Sequence, residues 1–94
     1  MKIGILLLVL FIQFNVFGQC WKEVKAGSLH TIGVKLDGSL WTWGNNDFNQ
    51  LGDGTATFKN VPTQISSTSD WNFVDGGEYH SLAIKTNGSL WAWG

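Results

Sequence analysis

Hydrophobic and polar positions divide this chain into three regimes. From Ile3 to Phe17 apolar residues run on almost unbroken, interrupted by Gly4, Gln13 and Asn15. After Cys20 the pattern changes to short apolar stretches punctuated by Gly, Asn and Asp, the arrangement of brief strands separated by tight turns. Between Asn45 and Asp70 the apolar stretches give way to Gly, Asn, Asp, Ser and Thr, with the only proline at Pro62. The spacing predicts short strands at Trp21–Val24 and Trp71–Val74, each leading through Gly27 or Gly77 into a hairpin. One more strand is expected over Val61–Ile65. It belongs on a sheet edge, because proline offers no N–H to a neighbour on that side.

The opening run, with Lys2 before it and Val16-Phe17-Gly18 after it, predicts a secretory signal peptide over residues 1–18. A membrane anchor is the rival reading. Crossing a hydrocarbon core takes about 20 mostly apolar residues, and this run is shorter and carries two amides near its end. A lipid-attachment signal at Cys20 would require a small residue where Gln19 stands. A chain cut after Gly18 therefore begins at Gln19 and is expected outside the cytoplasm, extracellular or periplasmic.

The strongest feature of the remaining sequence is self-similarity, the signature of repeat architectures. Trp21 to Gly44 aligns without gaps on Trp71 to Gly94, with 11 identities in 24 positions, six of them Trp or Gly. The repeated residues expected to hold the fold are Gly27, His30, Gly38, Trp41, Trp43 and Gly44 in one copy. Their partners are Gly77, His80, Gly88, Trp91, Trp93 and Gly94 in the other. Asp37-Gly38 and Asn87-Gly88 supply turn residues that tolerate positive φ between two apolar runs. A two-residue turn would set Val34 opposite Trp41 and Ile32 opposite Trp43, with Ile84 opposite Trp91 and Leu82 opposite Trp93. Gly33 and Thr42, and Ala83 and Ala92, would then share the other face. A three-residue turn with a bulge would shift this register.

Three to four short strands per 50 residues suit a blade of a β-propeller. The fold class is accordingly all-β, a partial propeller of about one and a half blades, with residues 21–70 as the first copy and 71–94 as a second, partial one within a repeat region of 19–94. Both faces of each sheet look built for burial. Removal of residues 1–18 leaves 76 residues, a size at which burial alone is marginal. Further blades or self-association are therefore expected to cover the faces, as in a piece of a longer protein or one component of an assembly. Cys20 is the only cysteine, which excludes a disulfide within the chain.

Charge narrows the partners. The portion after Gly18 holds five Lys and seven acids, a balance of −2, and the sequence contains no Arg. Nucleic-acid backbones are held by clustered Lys and Arg, so a nucleic-acid partner is not expected. His30 and His80 recur without a matching set of Glu, Asp or Cys, which favours a structural role over a metal site. Asn45, Asp47, Asn49 and Asp53 faintly resemble a calcium loop, but Gln50 and Ala56 stand where its glycine and bidentate glutamate belong. Gly52-Asp53-Gly54-Thr55 lacks the lysine of a phosphate cradle. Asn87-Gly88-Ser89 fits a glycosylation acceptor but is equally explained as a hairpin turn. No nucleophile–histidine motif and no carboxylate pair stands out, so neither catalysis nor a cofactor is expected. If the chain binds a partner, the positions that differ between copies are the candidates: Lys25, Ser28, Leu29, Asp75, Glu78 and Tyr79, with Phe48 and Phe58 in the connector.

The string from Gly77 through His80, Gly88, Trp91 and Trp93 to Gly94 resembles the repeats of the regulator of chromosome condensation family. So does its earlier copy from Gly27 to Gly44, running on into Gln50-Leu51-Gly52-Asp53-Gly54-Thr55. Asn49 departs from the pattern, since the family usually has glycine there. The resemblance implies a propeller that acts by protein contact. The family's founder exchanges nucleotide on a small GTPase and docks on chromatin through an inserted wedge and a basic tail, neither of which is found in this sequence. Secreted bacterial members are similar in repeat but serve other roles, among them inhibition of β-lactamases through aromatic residues on one rim, and the signal peptide with tryptophan-rich repeats is more similar to that group. The expected function is a secreted, non-catalytic scaffold that binds a protein. Carbohydrate binding on the tryptophans is the alternative, and nucleotide exchange on a GTPase a more distant one.

Overall fold

The computed structural model describes residues 20–94, so the expected signal peptide over 1–18 lies outside the described residues. Seven strands are present among them: β1 (Trp21–Ala26), β2 (His30–Lys35), β3 (Leu40–Gly44), β4 (Lys59–Gln64), β5 (Trp71–Gly76), β6 (Ser81–Lys85) and β7 (Leu90–Trp93). They form two antiparallel sheets ordered β1-β2-β3-β4 and β5-β6-β7. The sheets approach each other chiefly along β1, β2 and β5. This is the all-β arrangement expected of consecutive blades. The proline-bearing strand lies at a sheet edge as expected, beginning two residues earlier and ending one residue earlier than the sequence suggested.

The hairpin register differs from the two-residue expectation. Gly38 N–H donates to the Lys35 carbonyl at 2.9 Å, and Lys35 N–H donates to the Ser39 carbonyl at 3.0 Å. The loop therefore has three residues, Leu36-Asp37-Gly38. Only Gly38, at φ +87°, takes the left-handed conformation, while Asp37 does not. A two-residue type I′ turn needs positive φ at both central residues, and the single left-handed glycine instead gives a turn closed by a bulge. Lys85, Thr86, Asn87, Gly88 and Ser89 repeat this geometry, with Gly88 at φ +89°.

The extra loop residue moves every pairing by one. Val34 faces Leu40, Gly33 faces Trp41, Ile32 faces Thr42 and Thr31 faces Trp43. In the second hairpin Ile84 faces Leu90, Ala83 faces Trp91, Leu82 faces Ala92 and Ser81 faces Trp93. Aliphatic and aromatic residues are thus segregated rather than mixed, because a one-residue slip sends side chains to the opposite face. Each sheet has an aliphatic face, led by Ile32, Val34 and Leu40 or by Leu82, Ile84 and Leu90. Its reverse carries the tryptophans over small residues. An added Cβ at Gly33 would meet the Trp21 ring at 2.7 Å.

This segregation gives the stack a direction. The aliphatic face of the first sheet packs on the tryptophan face of the second, and the core consists of Ile32, Val34, Leu40, Trp71, Val74 and Ala83. Burying side chains of this size yields roughly 1.5–3 kcal/mol each before entropy is counted. The tryptophan faces carry a cation as well. Lys35 lies over the rings of Trp21 and Trp41, and Lys85 over those of Trp71 and Trp91, while Trp21–Trp41 and Trp71–Trp91 meet edge to face. Of these rings only Trp71 is buried. Trp91, on the last strand described, stays 50% exposed.

Candidate protein-contact rim

Because β1 to β4 alternate in direction, the β1–β2 loop and the β3–β4 connector leave the first sheet at the same end. The β5–β6 loop joins them there, since the Phe48 and Tyr79 rings meet at a tilt of 55° with centroids 4.8 Å apart. Asn45 N–H donates to the Leu29 carbonyl at 2.9 Å, which ties the first loop to the connector. One rim therefore presents Leu29, Phe48 and Tyr79, which are 60%, 55% and 44% exposed.

The connector is held rigidly despite having no strand until Lys59. Asn46 is buried, and its Nδ2 donates to the carbonyls of Thr55 (2.8 Å) and Thr57 (3.1 Å) while its Oδ1 accepts from Leu51 N–H at 3.0 Å. Gln50 is also buried. Its Oε1 accepts from Phe48 N–H at 2.8 Å, which fixes the backbone that carries the Phe48 ring. Thr42 Oγ1 donates to the Leu51 carbonyl at 2.8 Å and anchors the connector to β3. Buried polar networks whose members are all bonded rigidify the segment that contains them.

A second network fastens the rim across the two sheets. Ser81 Oγ donates to the Gln50 carbonyl at 2.7 Å and lies 3.0 Å from His30 Nε2. The hydroxyl has one proton, already given to Gln50, so the imidazole is the donor in the second bond. Burial, the largest influence, lowers the pKa of His30; the nearby charge of His80 lowers it further, and a contact with the His80 backbone opposes both. His30 thus acts as a neutral N–H donor between blades. His80, its repeat partner, is exposed.

The structure assigns the other sequence candidates to turns and packing. Asp53 Oδ1 accepts from Thr55 N–H and Oγ1 and from Asn46 Nδ2, and Asn45 Oδ1 accepts from Asp47 N–H and Gln50 Nε2. Partial burial raises the Asp53 pKa, but the Thr55 and Asn46 hydrogen bonds outweigh it and leave the group below its ordinary value. Asn49 adopts φ +62°. It thereby supplies the left-handed backbone of the glycine it replaces, which Asn tolerates better than most residues. Gly27 and Gly77 sit beneath the imidazoles of His30 and His80, where an added Cβ would stand 2.3 and 2.0 Å from the rings, and Gly52 lies under Trp93. Among the described residues, no group of three or more His, Cys, Asp or Glu is placed to hold a metal ion.

Of the positions that differ between copies, the structure brings Leu29 and Tyr79 to one rim beside the connector's Phe48, with Ser28, Asp47 and Glu78 exposed on the same loops, while Lys25 and Asp75 lie within β1 and β5. Phe58 is exposed at the far end of the connector, beside β4. Sequence reasoning missed Asn46 and Gln50 as the residues that fix this rim. Gln50 left a trace in the ordered Gln50-Leu51-Gly52-Asp53-Gly54-Thr55 string, and Asn46 left none.

Residues 37–84 match the model described as the regulator of chromosome condensation (RCC1) repeat, and residues 21–50 match a second RCC1 repeat model. The human E3 ubiquitin-protein ligase HERC2 is 41% identical over 44 residues, covering 47% of this chain and 1% of HERC2. The ultraviolet-B receptor UVR8 of Arabidopsis thaliana is 43% identical over 47 residues, covering 50% of this chain and 11% of the receptor. The chain thus spans only a small part of these relatives. Among solved structures, a chain of the crystal structure of Kap60 bound to yeast RCC1 (Prp20) superimposes with a TM-score of 0.68 at 24% identity, over 79% of this chain and 17% of that one. That likeness establishes the propeller-type fold. Since the first of the two repeat matches alone spans just over half of the sequence, the chain belongs to the RCC1 repeat family.

Proposed function

We propose that the protein is a secreted, non-catalytic propeller-repeat scaffold that binds another protein through the rim of Leu29, Phe48 and Tyr79. The carrying observation is that three large apolar side chains stand exposed at loop tips while buried Asn46, Gln50 and Ser81 hold the backbone beneath them. Side chains presented on a pre-ordered backbone lose little entropy on binding, and aromatic anchors dominate protein interfaces. The yeast structure with a similar fold, solved with Kap60 bound to RCC1 (Prp20), is in keeping with this use. The secreted half of the proposal rests on the residue pattern of 1–18. The carbohydrate alternative draws no comparable support, because Lys35 and Lys85 lie over the rings of Trp21, Trp41, Trp71 and Trp91.

The test compares the full chain with the doubly substituted Phe48→Ala/Tyr79→Ala chain as immobilised baits against extracellular and periplasmic extracts. The native rim is expected to retain a protein that the variant loses, both baits having the same circular dichroism. Equal retention by both, or saturable binding to a glycan panel in place of a protein, would overturn the proposal.

A further inference from the structure

The two ends of the strands differ in charge. Toward the rim lie Asp47, Asp53, Asp75 and Glu78 against Lys25 and Lys59, a balance of −2, whereas toward the opposite end Glu23, Asp37 and Asp70 match Lys22, Lys35 and Lys85. With histidine neutral, the rim end therefore carries the whole net charge of the described residues. Of its acids, Asp53 has the Lys59 ammonium 3.9 Å away and accepts hydrogen bonds from Thr55 and Asn46 within the connector. Asp47 accepts only from the neutral Asn45 Nδ2 at 3.2 Å, and Glu78 is exposed. Among the described residues neither of these two carboxylates forms an ion pair.

Asp47 and Glu78 immediately precede Phe48 and Tyr79, whose rings meet at 4.8 Å. Both acids sit on backbone that is already fixed: Asp47 N–H donates to Asn45 Oδ1 at 3.0 Å, and Gly77 N–H closes its loop on the His80 carbonyl at 2.8 Å. Leu29 and Phe48 stay 60% and 55% exposed with the second sheet packed beside the first. The rim thus combines a small aromatic patch with two uncompensated negative charges.

We propose that the rim takes an arginine-bearing segment of its partner protein, with the guanidinium on the Phe48 and Tyr79 rings, in reach of Asp47 and Glu78, and an apolar neighbour against Leu29. This inference rests on the reading of the rim as a protein-contact surface and names the chemistry that the surface contacts. A guanidinium is planar and weakly hydrated, stacks on aromatic faces and pairs with carboxylates through a fork of N–H donors. One side chain therefore satisfies both halves of the site. A wholly apolar segment would desolvate the two carboxylates without pairing them, and an acidic one would be repelled. Lysine brings the charge, but its compact, strongly hydrated ammonium matches the rings less well.

The experiment selects a random short-peptide display library on three immobilised full chains: the native one, Phe48→Ala/Tyr79→Ala and Asp47→Asn/Glu78→Gln. The native chain is expected to enrich peptides with arginine close to leucine or an aromatic residue, and the Phe48→Ala/Tyr79→Ala chain none of them. The neutralised chain should bind the same peptides roughly 2- to 30-fold more weakly, the loss of two exposed charge pairs. Binding to the native chain should also weaken as salt is raised. All four positions are exposed, so the three chains should share one circular dichroism spectrum. Peptides that require Phe48 and Tyr79 but lack arginine, or that bind the neutralised chain as tightly, would overturn this inference and leave the rim a contact surface of different chemistry. Enrichment that ignores Phe48→Ala/Tyr79→Ala, or no enrichment on the native chain, would overturn the reading of the rim as well.

Discussion

Leu40 and Leu90 occupy the same place in two copies of one motif, yet Leu40 is 1% exposed and Leu90 64%. Their turns and hairpin partners coincide, since each follows a three-residue loop closed by a left-handed glycine and each faces a β-branched residue across the hairpin, but Leu40 also has β4 beside its strand, with Ile65 N–H donating to its carbonyl at 3.0 Å. The difference comes from what packs on the face, chiefly the neighbouring sheet, with Ile65 beyond β4 added to it. The first sheet has Trp71, Val74 and Ala83 laid over its aliphatic face, and no described residue lies over the same face of the second in that way. A repeat therefore specifies the shape of a blade, while its place in the stack decides how much each side chain contributes to stability.

Substitutions at paired positions should expose this asymmetry, provided they are measured at concentrations where the chain is monomeric. The largest contrast is expected between Leu40→Ala and Leu90→Ala. Removing a buried leucine typically costs about 2–5 kcal/mol, whereas surface changes usually remain within roughly 0.5 kcal/mol. Urea denaturation reads both values, and similar losses would show that something covers Leu90 in solution.

The glycine pair should give the next contrast. Gly38 and Gly88 share a left-handed φ, so alanine at either is strained by about 1–2 kcal/mol. At Gly38 the new Cβ would also stand 2.1 Å from the Ser69 carbonyl oxygen, whereas at Gly88 it meets nothing within 4 Å. Gly38→Ala is therefore expected to lose roughly 1–3 kcal/mol more, the usual range for overpacking. Equal thermal shifts for the two variants would mean that the Ser69 segment yields freely.

Acid should produce the smallest contrast, in two steps. An unfolded histidine takes up its proton near pH 6.5, while the folded His30 does so only at lower pH because it is buried. Between those points the unfolded chain holds more protons, so stability is present above about pH 6.5 and declines below it. His30→Gln should abolish this step. At lower pH, Asp37 adds a second step, to which Asp53 of the connector also contributes. The Asp37 carboxylate accepts from the Ser39 hydroxyl and N–H, which lower its pKa, the hydroxyl bond most. Stability from that turn is lost as pH falls through the folded value, whereas Asn87 makes the same bonds without a titrating group. Melting temperature followed against pH for the wild type, His30→Gln and Asp37→Asn separates the two steps, and a flat wild-type profile would remove both.

Much of the fold was legible because glycine, tryptophan and histidine recur at a fixed offset of 50. Trp21 and Trp71 marked the starts of β1 and β5, and Pro62 placed β4 at an edge. The hairpin register was misjudged because Asp-Gly and Asn-Gly serve both two- and three-residue loops, and the choice depends on whether Asp37 and Asn87 take positive φ. Neither does. The rim was legible only as positions that differ between copies, Leu29 and Tyr79, and as a connector aromatic, Phe48. That Phe48 meets Tyr79, and that Asn46 and Gln50 lie buried beneath them, follows from contacts between segments far apart in sequence.

The amino-acid order alone determined the repeat, the strands, the turn glycines and the all-β class, because these depend on backbone preferences and on spacing within a few residues. Which face of each sheet is aliphatic, which histidine is buried and which leucine is dry were decided only by stacking. Burial is set by the surface that arrives from outside the blade, and no motif within the blade encodes that arrival.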